Sequence, residues 1–174
     1  MDGQAGIQRI LHLDKAGTGL ADWDPIDPDS LLSGRPVQRG WLADEDPARG
    51  YLAGVWDCTA FTGHPEPYPD DEFMLLLEGR LVMRLPDGAE VHVGAGEAFV
   101  IPKGLVCQWE QPDYVRKVFM IVSDAVPEGP ANPSLDRITT PDLAGPSPDG
   151  AVSAAATVFE NATGRMTVRV RREA

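Results

Sequence analysis

The chain has 174 residues, of which 43% are hydrophobic and 24% are charged, and its formal net charge at pH 7 is −12. This length suits one domain with extensions, and no apolar run approaches the roughly 18 residues that span a bilayer. The acidic balance opposes the nucleic-acid backbone, which binds proteins mainly through Lys and Arg. We therefore predict a globular protein without a membrane or nucleic-acid partner.

Two features of the sequence concern its location in the cell. The first residues lack the basic and apolar regions of a secretory signal, which predicts a cytoplasmic protein. The chain has two cysteines, Cys58 and Cys107. Two cysteines without a sign of export favour reduced thiols over a disulfide framework.

Strand-like runs fill the middle of the chain. Residues 1–35 are rich in Asp, Gly and Pro and predict an N-terminal arm, whereas β-branched or aromatic runs alternate with turn residues from Tyr51 to about Ser123. The run at residues 73–77 is apolar on both faces, so both faces must be covered. Tight turns separate the runs at Gly79, at Pro86-Asp87-Gly88 and at Pro102-Lys103-Gly104. Short strands joined by tight turns predict an all-β fold, an antiparallel barrel or jelly roll.

The C-terminal third of the chain has a different character. Prolines recur through residues 124–150 and predict an extended linker, because proline cannot sustain the hydrogen bonds of a β-ladder. Residues 151–174 contain two more strand-like runs, and residues 160–170 faintly repeat the pattern of residues 45–55. This similarity is either chance or a partial second barrel unit. Strands of such a unit would complete a sheet edge in this chain or, by strand exchange, in a partner.

Several motifs of the middle segment follow one another in a fixed order. They lie at residues 54–56, 68–73, 77–79, 96–104 and 109–110. In this order they resemble a cupin, and more narrowly the cupin subfamily that groups ureidoglycine aminohydrolases with the ethanolamine-utilisation cupins. The resemblance implies a single cupin (jelly-roll) β-barrel in residues 36–123, flanked by the N-terminal arm and a C-terminal β extension. It also implies a homodimer, the common assembly of cupins.

The metal-binding residues of the cupin pattern are mostly absent. The resemblance assigns a metal-ligand position to Glu72, but the usual histidine positions hold Pro65 and Pro67, or Glu66 and Tyr68, and Cys107. We therefore predict no metal or other cofactor. The alternative is a divalent transition metal in an irregular site formed by His64, Glu66 and Glu72.

Strand alternation predicts which side chains face the inside of the barrel. If Glu72 points inward, Met74 does too, and if Cys107 points inward, Trp109 shares its face. The predicted ligand pocket contains one carboxylate and an aromatic box, formed by Trp56, Tyr68, Glu72, Met74, Cys107 and Trp109. Such a pocket suits a small, partly apolar or cationic ligand. The same tryptophans are also common core residues, and Cys107 also fits an inert buried thiol.

Three functions fit this pocket. The first is a metal-independent enzyme in which Glu72 is the general acid or base and Tyr68 assists. The second is a non-catalytic module that binds or senses a small molecule, and the third is a structural homo-oligomer with a vestigial cavity. A buried acid needs a partner, and Arg80, Arg84 and Lys117 are the candidates for Glu72.

Overall fold

The computed structural model describes residues 17–123, 137–142 and 156–170 of the chain. Within these residues the strands are β1 (Ala21–Asp22), β2 (Leu31–Gly34), β3 (Gln38–Asp46), β4 (Tyr51–Cys58), β5 (Phe61–Gly63), β6 (Glu66–Pro67), β7 (Asp71–Glu78), β8 (Arg80–Arg84), β9 (Glu90–Gly94), β10 (Ala98–Ile101), β11 (Val106–Gln111), β12 (Val115–Val122), β13 (Ala156–Glu160) and β14 (Thr167–Val170). Short 3-10 turns at Pro28–Ser30 and Pro47–Arg49 are the helical elements among the described residues. The prediction of an all-β fold is confirmed.

The strands form two large antiparallel sheets around one core. The first sheet has the order β1-β3-β4-β12-β7-β10, and the second has the order β2-β5-β11-β8-β9 with β6 beside β11. Met74 and Phe119 of the first sheet share one hydrophobic cluster with Met83 and Cys107 of the second. Burial of apolar side chains between the two sheets stabilises this arrangement. The fold is therefore the predicted single jelly-roll barrel.

Gly79 carries the chain from one sheet to the other. It is the single residue between β7 and β8, which lie in different sheets. Its φ angle of +85° is costly for residues with a side chain, and a Cβ at this position would also overlap the carbonyl oxygen of Tyr114. The sequence thus marks this corner of the barrel with the one residue type that fits it.

β7 is covered on both faces, as its apolar composition required. One face carries Met74 and Leu76, which are fully buried between the two sheets. The opposite face carries Phe73, which packs against a separate cluster that includes Phe159 and Met166 from the C-terminal hairpin. The hairpin therefore covers apolar surface that the barrel alone leaves exposed.

Residues 17–34, which belong to the predicted N-terminal arm, are paired into both sheets. β1 pairs with β3, and β2 pairs with β5. The ring of Trp23 lies so close to Gly40 of β3 that a Cβ at Gly40 would overlap it, and it also contacts Phe119 at a centroid distance of 6.3 Å. Residues 1–16 of the predicted arm lie outside the described residues.

The C-terminal strands do not extend either large sheet within the described residues. β13 and β14 pair with each other and pack by their side chains against the first sheet. The buried side chain of Asn161 strengthens this contact, because its Nδ2 donates a hydrogen bond to Asp71 Oδ2 at 3.0 Å. The expected addition to a sheet edge in this chain is therefore replaced by face-to-face packing.

Residues 137–142 represent the predicted linker in the structure, and the rest of residues 124–150 lie outside the described residues. Thr139 forms an isolated antiparallel bridge with Val100 of β10. No helix in residues 17–123, 137–142 and 156–170 is long and apolar enough to cross a membrane.

Candidate functional site

A cavity of about 380 Å³ opens between the two sheets, and we call it the large cavity only in contrast to an adjoining one of about 160 Å³. Its aromatic lining is formed by Trp56, Phe61, Tyr68 and Trp109. Its polar lining is formed by Ser30, Gln38, His64, Glu66, Cys107 and Lys117. This size and this combination of aromatic surfaces with polar groups are typical of small-molecule sites.

Two glutamines hold the two tryptophans of the cavity at right angles. Trp56 and Trp109 have a centroid distance of 6.2 Å and an interplanar angle of 89°. Trp56 Nε1 donates a hydrogen bond to Gln38 Oε1 at 2.9 Å, and Trp109 Nε1 donates to Gln111 Oε1 at 3.0 Å. Gln111 is itself fixed, because its Nε2 donates to the carbonyl oxygen of Cys58 at 2.8 Å. Both indoles are therefore held in one orientation before a ligand binds.

Lys117 places a buried ammonium group between these indoles. Its Nζ lies 4.9 Å from the ring centroids of both Trp56 and Trp109, and it donates a hydrogen bond to Glu72 Oε1 at 2.8 Å. A second contact joins Nζ to Met74 Sδ at 3.0 Å. The aromatic box thus already holds a cation of the protein itself. A cationic ligand at these rings would have to lie close to a second positive charge, so this arrangement favours the apolar over the cationic alternative.

Glu72 is engaged by two partners and lies behind the cavity wall. The Tyr68 hydroxyl donates a hydrogen bond to Glu72 Oε2 at 2.5 Å, so each carboxylate oxygen has a donor. Burial, together with the charge of Glu72, raises the pKa of Tyr68 well above its ordinary value of 10.0. Glu72 does not line the large cavity but a smaller one of about 160 Å³, whose lining also includes Trp56 and Lys117. Lys117 is therefore the member of this ion pair that reaches the large cavity.

Met74, the sixth residue of the predicted pocket, is fully buried and does not line the large cavity. Its side chain supports Lys117 from behind through the contact of Sδ with Nζ. Trp56, Tyr68, Cys107 and Trp109 do line the cavity. The structure thus brings all six predicted residues into one region, with four of them at the cavity wall and with Glu72 and Met74 in contact with Lys117.

The candidate metal ligands His64 and Glu66 lie at the cavity near Cys107. Glu66 is the register partner of Cys107 in the pairing of β6 with β11, and His64 precedes it in the same segment. Glu72 lies behind the wall instead of beside them. No group of three or more His, Cys, Asp or Glu side chains is arranged to hold a metal ion in the described part of the chain.

The pKa values of both cysteine thiols, Cys58 and Cys107, are raised, which makes the thiols less reactive. Burial, and secondarily the charge of Glu66, raises the pKa of Cys107 from 9.0 to about 11. Burial, and secondarily the charge of Asp57, raises the pKa of Cys58 from 9.0 to about 12. The thiolate is the reactive form, so neither residue is a good nucleophile at neutral pH.

Alkaline pH is therefore expected to destabilise the fold. The unfolded chain loses its thiol protons near pH 9, before the folded chain does, so the thiol contribution is complete below about pH 9 and is lost as pH rises toward 11. We expect the unfolding temperature to fall across this window, and to fall less steeply in a Cys107→Ala variant. Thermal unfolding followed by circular dichroism measures both slopes. Equal slopes would contradict the assignment to Cys107.

Sequence reasoning missed Gln38 and Phe61, and it left the role of Lys117 open. Gln38 lies in β3 and Phe61 in the short β5, neither of which was predicted as a strand. A signal for Lys117 is nevertheless present in β12. Lys117 alternates with Val115 and Phe119, which are both buried, so its side chain must share their inward face.

Comparisons with known proteins identify a family match within the barrel. Residues 45–119 match the EutQ-like cupin domain. A protein of unknown function from Pseudomonas syringae is 33% identical with a TM-score of 0.60, and the match covers 63% of this chain and 46% of that one. The chain thus spans less than half the length of that relative.

Two further solved structures are similar at lower identity. EutQ of Clostridium difficile is 22% identical with a TM-score of 0.44, over 56% of this chain and 79% of that one. A cupin-like protein of Thermotoga maritima is 10% identical with a TM-score of 0.48, over 59% of this chain and 79% of that one. No curated protein matches the sequence. The family match covers residues 45–119, less than half of the chain, and together with the jelly-roll barrel it supports a cupin of the EutQ-like type.

Proposed function

We propose that the barrel binds a small planar metabolite that presents an anionic or carbonyl oxygen to Lys117. The observation that carries this proposal is the buried Lys117 ammonium in the aromatic wall of the cavity. This places a hydrogen-bond donor of positive charge next to flat apolar surfaces, and a planar molecule with one oxygen at its edge complements both.

The donor capacity of Lys117 supports an oxygen as its ligand. An ammonium group has three N–H donors, and the contacts with Glu72 and Met74 use two of them. A ligand oxygen in the cavity gives the third donor a partner. Hydrogen bonds to charged groups are stronger in a buried site than in water, because the surrounding dielectric is low.

The apolar part of the ligand is expected to contact the rings. Phe61 and Trp109 lie nearly parallel, with an interplanar angle of 8° and a centroid distance of 6.5 Å, and Trp56 stands perpendicular to Trp109. Aromatic side chains provide a large contact area at a low cost in conformational entropy. Because the indoles are already held by Gln38 and Gln111, little ordering is needed when the ligand binds.

Binding of benzoate is the direct test, with benzylamine as the cationic control of the same shape. Titration followed by tryptophan fluorescence is expected to give saturable binding of benzoate and much weaker binding of benzylamine. In a Glu72→Gln/Lys117→Met double variant, which leaves no lone buried charge, benzoate affinity should fall by about tenfold to a hundredfold. The surface variant Arg80→Met is the matched control and should retain binding. Benzylamine binding as tight as that of benzoate would overturn the proposal.

The hydrogen-bonded chain from Tyr68 through Glu72 to Lys117 favours a second candidate, metal-independent acid–base chemistry. Glu72 was the expected general acid or base. Because it lies behind the wall of the large cavity, its proton would have to reach a ligand there through Lys117. A protein that only binds its ligand needs the charge of Lys117. A metal-independent acid–base enzyme also needs Glu72 as the proton acceptor beside Lys117.

A further inference from the structure

Lys117 is a primary amine at the wall of a ligand cavity. It is only 6% exposed, yet it contributes to the lining of both cavities that meet at this point. The chain has three lysines, Lys15, Lys103 and Lys117. Lys103 lies in the turn between β10 and β11 and is partly exposed, and Lys15 lies outside the described residues. Lys117 is therefore chemically distinct from Lys103 by its burial and its neighbours.

Burial of a lysine ammonium group lowers the stability of a fold more than burial of an apolar side chain of similar size does. Removing an ammonium group from water costs several kcal/mol, and an apolar pair of similar size is often as stable as a buried ion pair. Buried lysines that have a proton acceptor beside them are suited to act as nucleophiles toward carbonyl groups. Glu72 Oε1 at 2.8 Å from Lys117 Nζ is such an acceptor.

We propose that Lys117 forms an imine with an aldehyde or ketone bound in the large cavity. This inference rests on the proposed function, because the carbonyl oxygen is the group that the site is proposed to hold at Lys117. It narrows the ligand class from any planar molecule with an edge oxygen to one with a reactive carbonyl carbon.

The neighbours of Lys117 account for each proton in this step. The ammonium gives one proton to Glu72, and the neutral amine attacks the carbonyl carbon, so that a C–N bond forms and the carbonyl electrons move to oxygen. The nitrogen passes a proton to that oxygen, which gives a neutral carbinolamine. Glu72 then returns its proton to the nitrogen, and the nitrogen passes a second proton to the hydroxyl group, which leaves as water. The net change is ammonium plus carbonyl compound to protonated imine plus water, and Glu72 ends as a carboxylate.

Tyr68 is a positioning residue in this scheme. Its hydroxyl donates to Glu72 Oε2, which leaves Oε1 directed at Lys117. The raised pKa of Tyr68 keeps the hydroxyl protonated, so it remains a donor throughout. The proton exchange with Lys117 therefore stays on one carboxylate oxygen.

Reductive trapping of the full chain with benzaldehyde and cyanoborohydride tests the proposal. Reduction converts the imine into a stable benzyl amine, which peptide mapping by mass spectrometry locates. At substoichiometric benzaldehyde we expect Lys117 to be labelled at least about tenfold faster than Lys103, because the cavity raises the local concentration of the aldehyde. Excess benzoate, which cannot form an imine, should protect Lys117 and leave Lys103 unprotected.

The two proposals fail in different ways. Saturable benzoate binding without preferential labelling of Lys117 would overturn the imine and leave the proposed function standing. Absence of benzoate binding together with equal labelling of Lys103 and Lys117 would overturn both. The Lys117→Arg variant has no primary amine at this position, and it should lose the cavity-dependent label. Because the map of the parent protein decides the question, the test does not depend on that variant being stable.

Discussion

The Glu72→Gln variant is expected to unfold with a free energy about 3–5 kcal/mol below that of the parent. Glu72 and Lys117 are 5% and 6% exposed, so water cannot replace the lost charge. The variant leaves the Lys117 ammonium buried beside a neutral amide, and an uncompensated buried charge is far more costly than an exposed one. Urea unfolding followed by circular dichroism measures the difference.

The matched control lies on the same strand. Glu78 is the last residue of β7, and it pairs with Arg116 at the surface, where its side chain is 53% exposed. Glu78→Gln should change the free energy of unfolding by no more than about 1 kcal/mol. The double variant Glu72→Gln/Lys117→Met should recover much of the stability lost in Glu72→Gln, because no lone charge remains. If Glu72→Gln is as stable as Glu78→Gln, the pair is not buried as described.

The barrel strands could be predicted wherever local sequence decides them. β7, β10 and β12 are mostly apolar, and turn residues such as Gly79 mark strand ends. β3 was not predicted, because Gln38–Asp46 is rich in polar and charged residues and much of it is only half-buried. This composition reflects its position near the edge of the first sheet, where β1 covers only a short part of it. The place of β3 in the sheet is set by its pairing with β1 and β4, and the sequence of β3 alone does not reveal this pairing.

The candidate site also has a part that local sequence predicts and a part that depends on strand pairing. Alternation within single strands was enough to orient Trp56, Met74 and Trp109 inward. The pairing of Glu72 with Lys117 depends on the register between β7 and β12, and this register shifts at Arg116 and Lys117. A sequence does not reveal such a bulge, because no local turn or composition marks it. The contact between Lys117 and Glu72 could therefore not be predicted from either strand alone, because it depends on how β7 and β12 are aligned.

The prediction that both faces of β7 are covered is confirmed, but the C-terminal hairpin was not expected to provide the cover. The apolar outer face of β7 required a cover, and Phe159 and Met166 of the hairpin provide it. The faint repeat suggested pairing at a sheet edge, whereas the hairpin contributes side chains. The homodimer, the cytoplasmic location and the absence of a cofactor stay predictions.

Replacement of Trp109 by alanine is expected to remove both stability and binding. The Trp109 ring contacts Trp56, Phe61 and Phe99 at centroid distances of 6.2, 6.5 and 6.4 Å, so truncation empties the centre of the aromatic wall. Truncations of this size cost about 3–5 kcal/mol. They also remove one of the two rings that face the Lys117 ammonium. We expect a lower urea midpoint and no saturable benzoate binding.

Trp109→Phe separates the contribution of the ring from that of its N–H group. Phenylalanine keeps an aromatic face toward Phe61 but leaves Gln111 Oε1 without the donor that it has in the parent. Because Gln111 is 1% exposed, the lost hydrogen bond should cost about 1–3 kcal/mol. The expected order of stability is parent, then Trp109→Phe, then Trp109→Ala, with benzoate binding weakened in Trp109→Phe and lost in Trp109→Ala.

Trp41→Phe is the control for the loss of one fluorophore, since Trp41 does not line the cavity, and it should bind benzoate like the parent. Benzoate binding that persists in Trp109→Ala would mean that the ligand site lies elsewhere, because no ligand in this cavity can avoid the central ring of its wall.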